Sequence, residues 1–93
     1  MAACPPFAVA VLDLVQPGAT GADAGADILS TAIAAEIPVD APSSTQGKIR
    51  RHFVRLLKQL HAHAETRAAI EAAIAAVFTH AAAKDFAALN ALD

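Results

Sequence analysis

The C-terminal half of the chain contains no residue that breaks a helix. After Gly47 the remaining 46 residues include neither glycine nor proline, and alanine, leucine and other strong helix formers dominate them. Nothing in such a stretch disfavours helical backbone angles, and no pair of convincing strands competes with them. The sequence therefore predicts an all-α fold.

Large apolar residues recur at helical spacing and divide this half into three predicted helices, over about residues 46–63, 66–83 and 85–92. The last helix is separated because Phe86 falls out of phase with the preceding apolar stripe, and Asp85 is available as its N-cap. Residues 60–68 carry no breaker, so local sequence allows either a turn or a continuous helix there. The predicted inward-facing positions are Ile49, Phe53, Leu56, Leu57, Leu60, Ala64, Ile70, Ile74, Val77, Phe78, Ala81, Phe86, Leu89 and Leu92.

The N-terminal segment allows two interpretations. Pro5 and Pro6 can open a helix, since a proline at the first helical position loses no hydrogen bond. Apolar side chains also alternate from Phe7 to Val11, which is typical of a strand. A helix over about residues 5–15 is favoured because the chain offers no second convincing strand to pair with this one.

A further helix is predicted over about residues 23–37, capped by Asp23 or Asp27. The Gly-Ala-Asp repeat near its start has too few oxygen ligands for a calcium loop, because hard cations need six or more. Residues 38–47 follow as a connector, with two prolines, one glycine and three hydroxyl residues. The apolar stripe of this helix comprises Ile28, Leu29, Ile33 and Ile37.

The supply of core side chains limits the chain to one domain. Apolar residues make up 56% of the 93 residues, but half of them are alanines, each of which buries a single methyl group. The larger apolar residues, about a quarter of the chain, suffice for one small folded unit. We therefore predict a single Ala-rich bundle of three to five helices over residues 1–93, with an acidic half at 1–37 and a basic, then Ala-rich, half at 48–93.

Charge is distributed unevenly along the chain. Residues 1–47 hold five acidic side chains and no lysine or arginine, whereas all seven cations lie between residues 48 and 93. Such a concentration suggests an anion-binding or partner-binding surface, although acids of the first half can also neutralise it. Five cations cluster within eleven residues: Lys48, Arg50, Arg51, Arg55 and Lys58.

Alanine dominates the helix predicted over residues 66–83. On the sides away from Ile70 and Ile74 it carries little besides methyl groups, so another helix can approach closely. We predict a helix-docking surface there, although alanine is also a permissive filler of helices. Its residues are Ala69, Ala72, Ala73 and Ala76.

No arrangement of residues typical of catalysis is present. His61 and His63 diverge by about 200° on a helix, so they cannot bind one metal ion together. The single cysteine, Cys4, has no nucleophile context, and the four glycines match no phosphate-binding motif. We therefore expect no cofactor, no metal site and no enzymatic activity.

These observations favour a non-enzymatic interaction module, an adaptor, regulator or subunit that acts through helix–helix contacts with a protein partner or as a homodimer. The alternative is a regulator that binds nucleic acid or another polyanion through the basic helix at 48–58. The longest apolar run near the N-terminus is too short to span a bilayer, and no membrane role is expected. A lone cysteine and the absence of a signal sequence predict a cytoplasmic protein.

Overall fold

The computed structural model describes residues 6–15, 21–36 and 43–92. In these ranges the chain forms five α-helices and no strand, with a 3₁₀ turn at Ala64–Thr66 between the third and fourth helices. The prediction of a small all-α bundle is confirmed, and residues 6–15 are helical. The helices are α1 (Pro6–Val15), α2 (Ala22–Glu36), α3 (Ser43–Ala62), α4 (Arg67–Ala82) and α5 (Phe86–Asn90).

Helix α3 is the centre of the bundle and contacts each of the other four helices. Phe53, near its middle, is fully buried, and its ring centroid lies 6.4 Å from that of Phe78 on α4. The two helices thus meet through an aromatic pair at a favourable separation. The buried core comprises Ala8, Val11, Leu12, Val15, Ala26, Leu29, Ile33, Ile49, Phe53, Leu57, Leu60, Ile70, Ile74, Val77, Ala81 and Leu89.

Helix α2 packs against α1 and α3 at Gly25, which is buried. A Cβ atom built on Gly25 would lie 2.8 Å from Cδ1 of Leu57 and 3.0 Å from Cγ2 of Val15. These separations are shorter than van der Waals contact, so a side chain at this position would push α2 away from both α1 and α3. Glycine is therefore required by packing rather than by a turn.

The chain turns between α4 and α5 through a left-handed residue, Lys84, with a φ of 57°. The amide of Asp85 donates to the carbonyl of His80 at 2.9 Å, and that of Lys84 donates to Ala81 at 3.1 Å. This pair of hydrogen bonds is the Schellman motif that ends many helices. The Asp85 carboxylate then accepts a hydrogen bond from the amide of Ala88 at 3.1 Å, which confirms its predicted role as N-cap of α5.

Helix α3 begins at Ser43, three residues earlier than predicted, so the predicted connector is wrong over residues 43–47. The tertiary contact that accompanies this first turn is not visible in the sequence. Thr45 is fully buried, and its hydroxyl donates to Oδ1 of Asn90 on α5 at 2.7 Å. Lys48 Nζ donates to the carbonyl of the same asparagine at 3.0 Å, so the start of α3 is fastened to the end of α5.

Helix α2 differs from its prediction at its cap and at one stripe position. Asp23 and Asp27, the two predicted caps, both lie inside the helix, because α2 already begins at Ala22. Ile28 was predicted to face the core but is 46% exposed, since the inner side of α2 is occupied by Gly25, Leu29 and their neighbours. The predicted stripe residue Ile37 and the connector residues 38–42 lie outside the described residues.

The segment between α3 and α4 is a turn and not a continuous helix. Helix α3 ends at Ala62, and His63 leaves helical geometry with φ −137° and ψ 80°. The Thr66 amide donates to the His63 carbonyl at 3.0 Å and closes the 3₁₀ turn, and the Thr66 hydroxyl donates to the same carbonyl at 2.7 Å. Ala64, which was predicted to extend the apolar face of α3, belongs to this turn and is exposed.

Candidate binding surfaces

The five clustered cations of α3 do not form one surface. Lys48 and Arg50 are half-buried and face other helices, Lys48 towards Asn90 as described above and Arg50 towards α2. Arg50 Nε donates to Oδ1 of Asp27 at 2.6 Å. This hydrogen bond and the charge of Asp27 raise the pKa of Arg50 above its usual value. Two of the five predicted anion-binding residues therefore make contacts within the bundle.

The other three cations, Arg51, Arg55 and Lys58, are exposed on the outer face of α3. Their spacings of four and three residues put them on one side of the helix, within about 10 Å along its axis. We call these three residues the α3 cationic face.

Acidic side chains of the N-terminal helices form ion pairs with cations outside this face. Asp27 on α2 binds Arg50, and Asp13 on α1 binds Arg67 of α4 with an Nη1 to Oδ1 distance of 2.6 Å. Arg67 also contacts Glu71 at 3.2 Å, and its bond to Asp13 is the main reason that the pKa of Arg67 is raised. The predicted attraction between the two halves thus exists, but these two pairs use Arg50 and Arg67 rather than the cationic face.

The outer side of α4 has a different chemistry. None of its exposed residues is charged, and five of the six are alanines. The exception is Thr79, whose hydroxyl donates to the carbonyl of Ala75 within the helix at 2.9 Å. The exposed residues are Ala68, Ala69, Ala72, Ala76, Thr79 and Ala82.

The predicted docking residues lie together on this outer side. Ala69, Ala72 and Ala76 are exposed, and Ala73 is half-buried beside them. We call these four residues the α4 alanine face. Their spacings of three, one and three residues give a stripe that follows the helix, whose 16 residues extend for about 24 Å.

A shallow pocket of about 260 Å³ lies between α2 and the start of α3. Three of its polar side chains have partners within the chain: Arg50 binds Asp27, and the hydroxyls of Ser30 and Thr31 donate to the Asp27 carbonyl at 3.3 and 2.7 Å. This pocket was not predicted from the sequence, where the small residues at its wall were the available signal. The lining residues are Ser30, Thr31, Ala34, Gln46, Gly47 and Arg50.

His61, near the end of α3, and His63, in the turn that follows, each lie close to a polar group elsewhere in the chain. His61 Nδ1 is 3.4 Å from the Val15 carbonyl, and His63 Nδ1 is 3.5 Å from a carboxylate oxygen of Glu65. Among the residues that the structure describes, no three His, Cys, Asp or Glu side chains converge as a metal site. Cys4 lies outside the described ranges. None of the described helices is both long enough and apolar enough to cross a membrane.

No protein-family model matches this chain, and no curated protein or solved structure matches it either. The fold and the two outer faces are therefore the basis for assigning a function.

Proposed function

We propose that this protein is a non-enzymatic helical interaction module that self-associates through the α4 alanine face. The observation that carries the proposal is the uncharged outer side of α4. A helix face that stays in water normally carries polar and charged residues, whereas a face that packs against another helix does not. The outer side of α4 has the second composition and no neighbour within the described part of the bundle.

The occupant that fits this face best is a second copy of the same chain. A symmetric dimer places the same patch on both sides of its interface, so the patch must be complementary to itself. Ala69, Ala72 and Ala76 present methyl groups without charge, and two such stripes can approach to the short end of the usual interhelical distances. The α3 cationic face cannot pair in this way, because three cations would face three others.

The proposal gives the protein no catalytic role, in keeping with a sequence that carries no recognised catalytic motif. The lone Cys4 supports a location in the reducing cytoplasm. Adaptor, regulator and subunit roles are all compatible with a small dimer that exposes further helix surfaces.

The experiment compares the molar mass of the protein with that of a variant over a range of concentrations. Sedimentation velocity from micromolar to millimolar chain should show a transition from 9.5 kDa to twice that mass. The double substitution Ala72→Glu with Ala76→Glu should raise the dimer dissociation constant at least tenfold, because it brings four carboxylates into the interface.

The matched control is Ala24→Glu with Ala35→Glu. These two alanines are exposed on α2, and their replacement changes the net charge by the same amount. The control variant should dimerise as the unmodified protein does. A chain that stays monomeric at millimolar concentration contradicts the proposal, as does a control variant that loses the dimer while the α4 variant keeps it.

A further inference from the structure

The last described helix, α5, is short and follows a strained turn. It has five residues, too few for a helix to be stable unless it packs against the rest of the protein. Lys84, between α4 and α5, has a φ of 57°, a left-handed conformation in which a Cβ atom is crowded by the backbone. Opening of this turn releases that strain, so Lys84 is a natural hinge.

The apolar attachment of α5 is small. The helix packs against α3 and α4, and Leu89 is its one fully buried side chain. Phe86 and Leu92 lie half-buried beside the core. Helix α3, by contrast, buries four large apolar side chains completely or nearly so, which are Ile49, Phe53, Leu57 and Leu60. Much less apolar burial therefore opposes the detachment of α5 than opposes the detachment of α3.

The second attachment of α5 is polar. The hydroxyl of Thr45 donates to Oδ1 of Asn90 at 2.7 Å, and Nζ of Lys48 donates to the Asn90 carbonyl at 3.0 Å. Thr45 is the one buried polar residue among those that the structure describes. When α5 moves away, these groups can bond to water instead, so opening leaves none of them unsatisfied. The contact is therefore one that can break and form again at low cost.

We infer that α5 is a latch, a segment that detaches as a unit about Lys84 and closes again while α1 to α4 stay folded. In the closed state it covers the apolar surface of α3 and α4 on which Leu89 lies. A partner helix that binds this surface must first displace α5, so the latch regulates access to it. The inference concerns a contact within one chain and does not depend on dimer formation through the α4 alanine face.

A latch differs from ordinary fraying of a chain end in the order in which its amides open. The amides of Leu89 and Ala91 donate to the carbonyls of Asp85 and Ala87, both at 3.1 Å. Fraying starts at the last residue, so it exposes the Ala91 amide before that of Leu89 and leaves the turn at Lys84 intact. A latch that opens at Lys84 exposes the two amides together.

The test is hydrogen exchange of single amides, followed by NMR on the full chain. We expect the protection factors of Leu89 and Ala91 to agree within about threefold. Both should be at least about 100-fold below those of Phe53 and Leu57 in α3, because the latch opens without unfolding of the bundle.

Two variants should shift the latch in opposite directions. Asn90→Ala removes the acceptor of the Thr45 hydroxyl and should lower the protection factors of Leu89 and Ala91 about fivefold. Lys84→Gly relieves the strain of the closed turn and should raise both about threefold, because glycine adopts a positive φ freely.

Each variant has a matched control. Lys84→Ala removes the same charge as Lys84→Gly but keeps a Cβ atom in the left-handed conformation. Gln59→Ala, like Asn90→Ala, removes an exposed side-chain amide, but it lies about 21 Å from Thr45 along α3. Both controls should leave the protection factors of Leu89 and Ala91 within about twofold of those in the unmodified chain.

Four outcomes would overturn the inference. Equal protection of α5 and α3 would mean that α5 opens only when the whole chain unfolds. Graded exchange from the C-terminus that Lys84→Gly does not change would identify fraying. An equal gain in Lys84→Ala and Lys84→Gly would exclude the strained turn as the hinge, and unchanged exchange in Asn90→Ala would exclude the contact with Thr45 as part of the latch.

Discussion

Helices α3 and α4 are alike on their inner sides and opposite on their outer sides. Each buries a stripe of large apolar residues, with Phe53 and Ile74 fully buried near the middle of the two stripes. Outside, the described side chains that α3 exposes are two arginines, a lysine, two glutamines, a histidine and one alanine, whereas α4 exposes five alanines and one threonine. The two helices therefore contribute in the same way to the core and in different ways to whatever lies around the molecule.

This difference indicates that the inner sides of α3 and α4 determine how the helices pack, whereas their outer sides are left to determine what the protein binds. Burial of an apolar stripe determines where a helix packs, and any good helix former serves on the other side. The choice between cations and methyl groups on that side is then open to selection by a partner. A charged outer face suits an anion, and an uncharged one suits a second apolar helix surface.

The largest expected effect concerns the inner sides, where the two helices should behave alike. Phe53→Ala and Ile74→Ala should each lower the free energy of unfolding, by about 3–5 and 2–5 kcal/mol respectively, because each removes a fully buried side chain and leaves a cavity. The phenylalanine should cost more, since it also loses its ring contact with Phe78. Urea unfolding followed by circular dichroism measures both.

Phe53→Leu serves as the milder control, because it keeps most of the apolar volume and should remain folded if the alanine variant does not. A loss below about 1 kcal/mol for either alanine variant would show that the corresponding stripe is not part of the core.

The next largest effect compares the same substitution at two glycines inside helices. Gly25 of α2 packs against the inner side of α3, whereas Gly47 lies on α3 away from such a close contact. Gly25→Ala should destabilise by about 1–2 kcal/mol, because its Cβ would lie 2.8 Å from Leu57 and 3.0 Å from Val15. Gly47→Ala should stabilise by about 0.5–1 kcal/mol, because its Cβ meets only the Arg51 guanidinium, at 3.4 Å, and alanine is the better helix former. Thermal and urea unfolding of the two variants give the signs.

Opposite signs for one substitution type would show that packing, not helix propensity, keeps glycine in α2. Two stabilising results would mean that Leu57 moves aside at little cost, and that α2 and α3 are packed less tightly than the structure has them.

Periodicity predicted the five helices well because each one has a clear apolar stripe. The restart at Asp85 was visible as a change of phase at Phe86, and it is confirmed by the N-cap hydrogen bond. The start of α3 was placed too late because it depends on the contact between Thr45 and Asn90, which are 45 positions apart. Periodicity also gave Ile28 to the core, since it cannot distinguish the edge of a stripe from its centre.

The residue types of the candidate surfaces were predicted from the sequence, but how the cations are distributed between helix contacts and the exposed surface was not. Sequence spacing grouped five cations, and only the structure separates the exposed Arg51, Arg55 and Lys58 from the cations that bind α2 and α5. Which acid pairs with which cation depends on the arrangement of whole helices. Local spacing carries no information about that arrangement.

The smallest expected effect comes from exchanging the chemistry of the two outer sides. One variant carries Ala72→Arg and Ala76→Arg on α4, and the other carries Arg51→Ala and Arg55→Ala on α3, with the same four-residue spacing in both. Each pair should change the free energy of unfolding by less than about 0.5 kcal/mol, because all four positions are exposed and the two residue types are similar helix formers. The measurement is urea unfolding at micromolar concentration, where the monomer predominates.

The dependence of stability on chain concentration then distinguishes the outer side of α3 from that of α4. The unmodified protein and the α3 variant should become more stable as the chain concentration rises, because only the folded state dimerises. The α4 variant should not, since two arginines in each copy oppose the contact. A loss above 1 kcal/mol for the α4 variant in the dilute monomer would mean that its alanines already pack against their own chain, and the distinction between the outer sides of α3 and α4 would no longer hold.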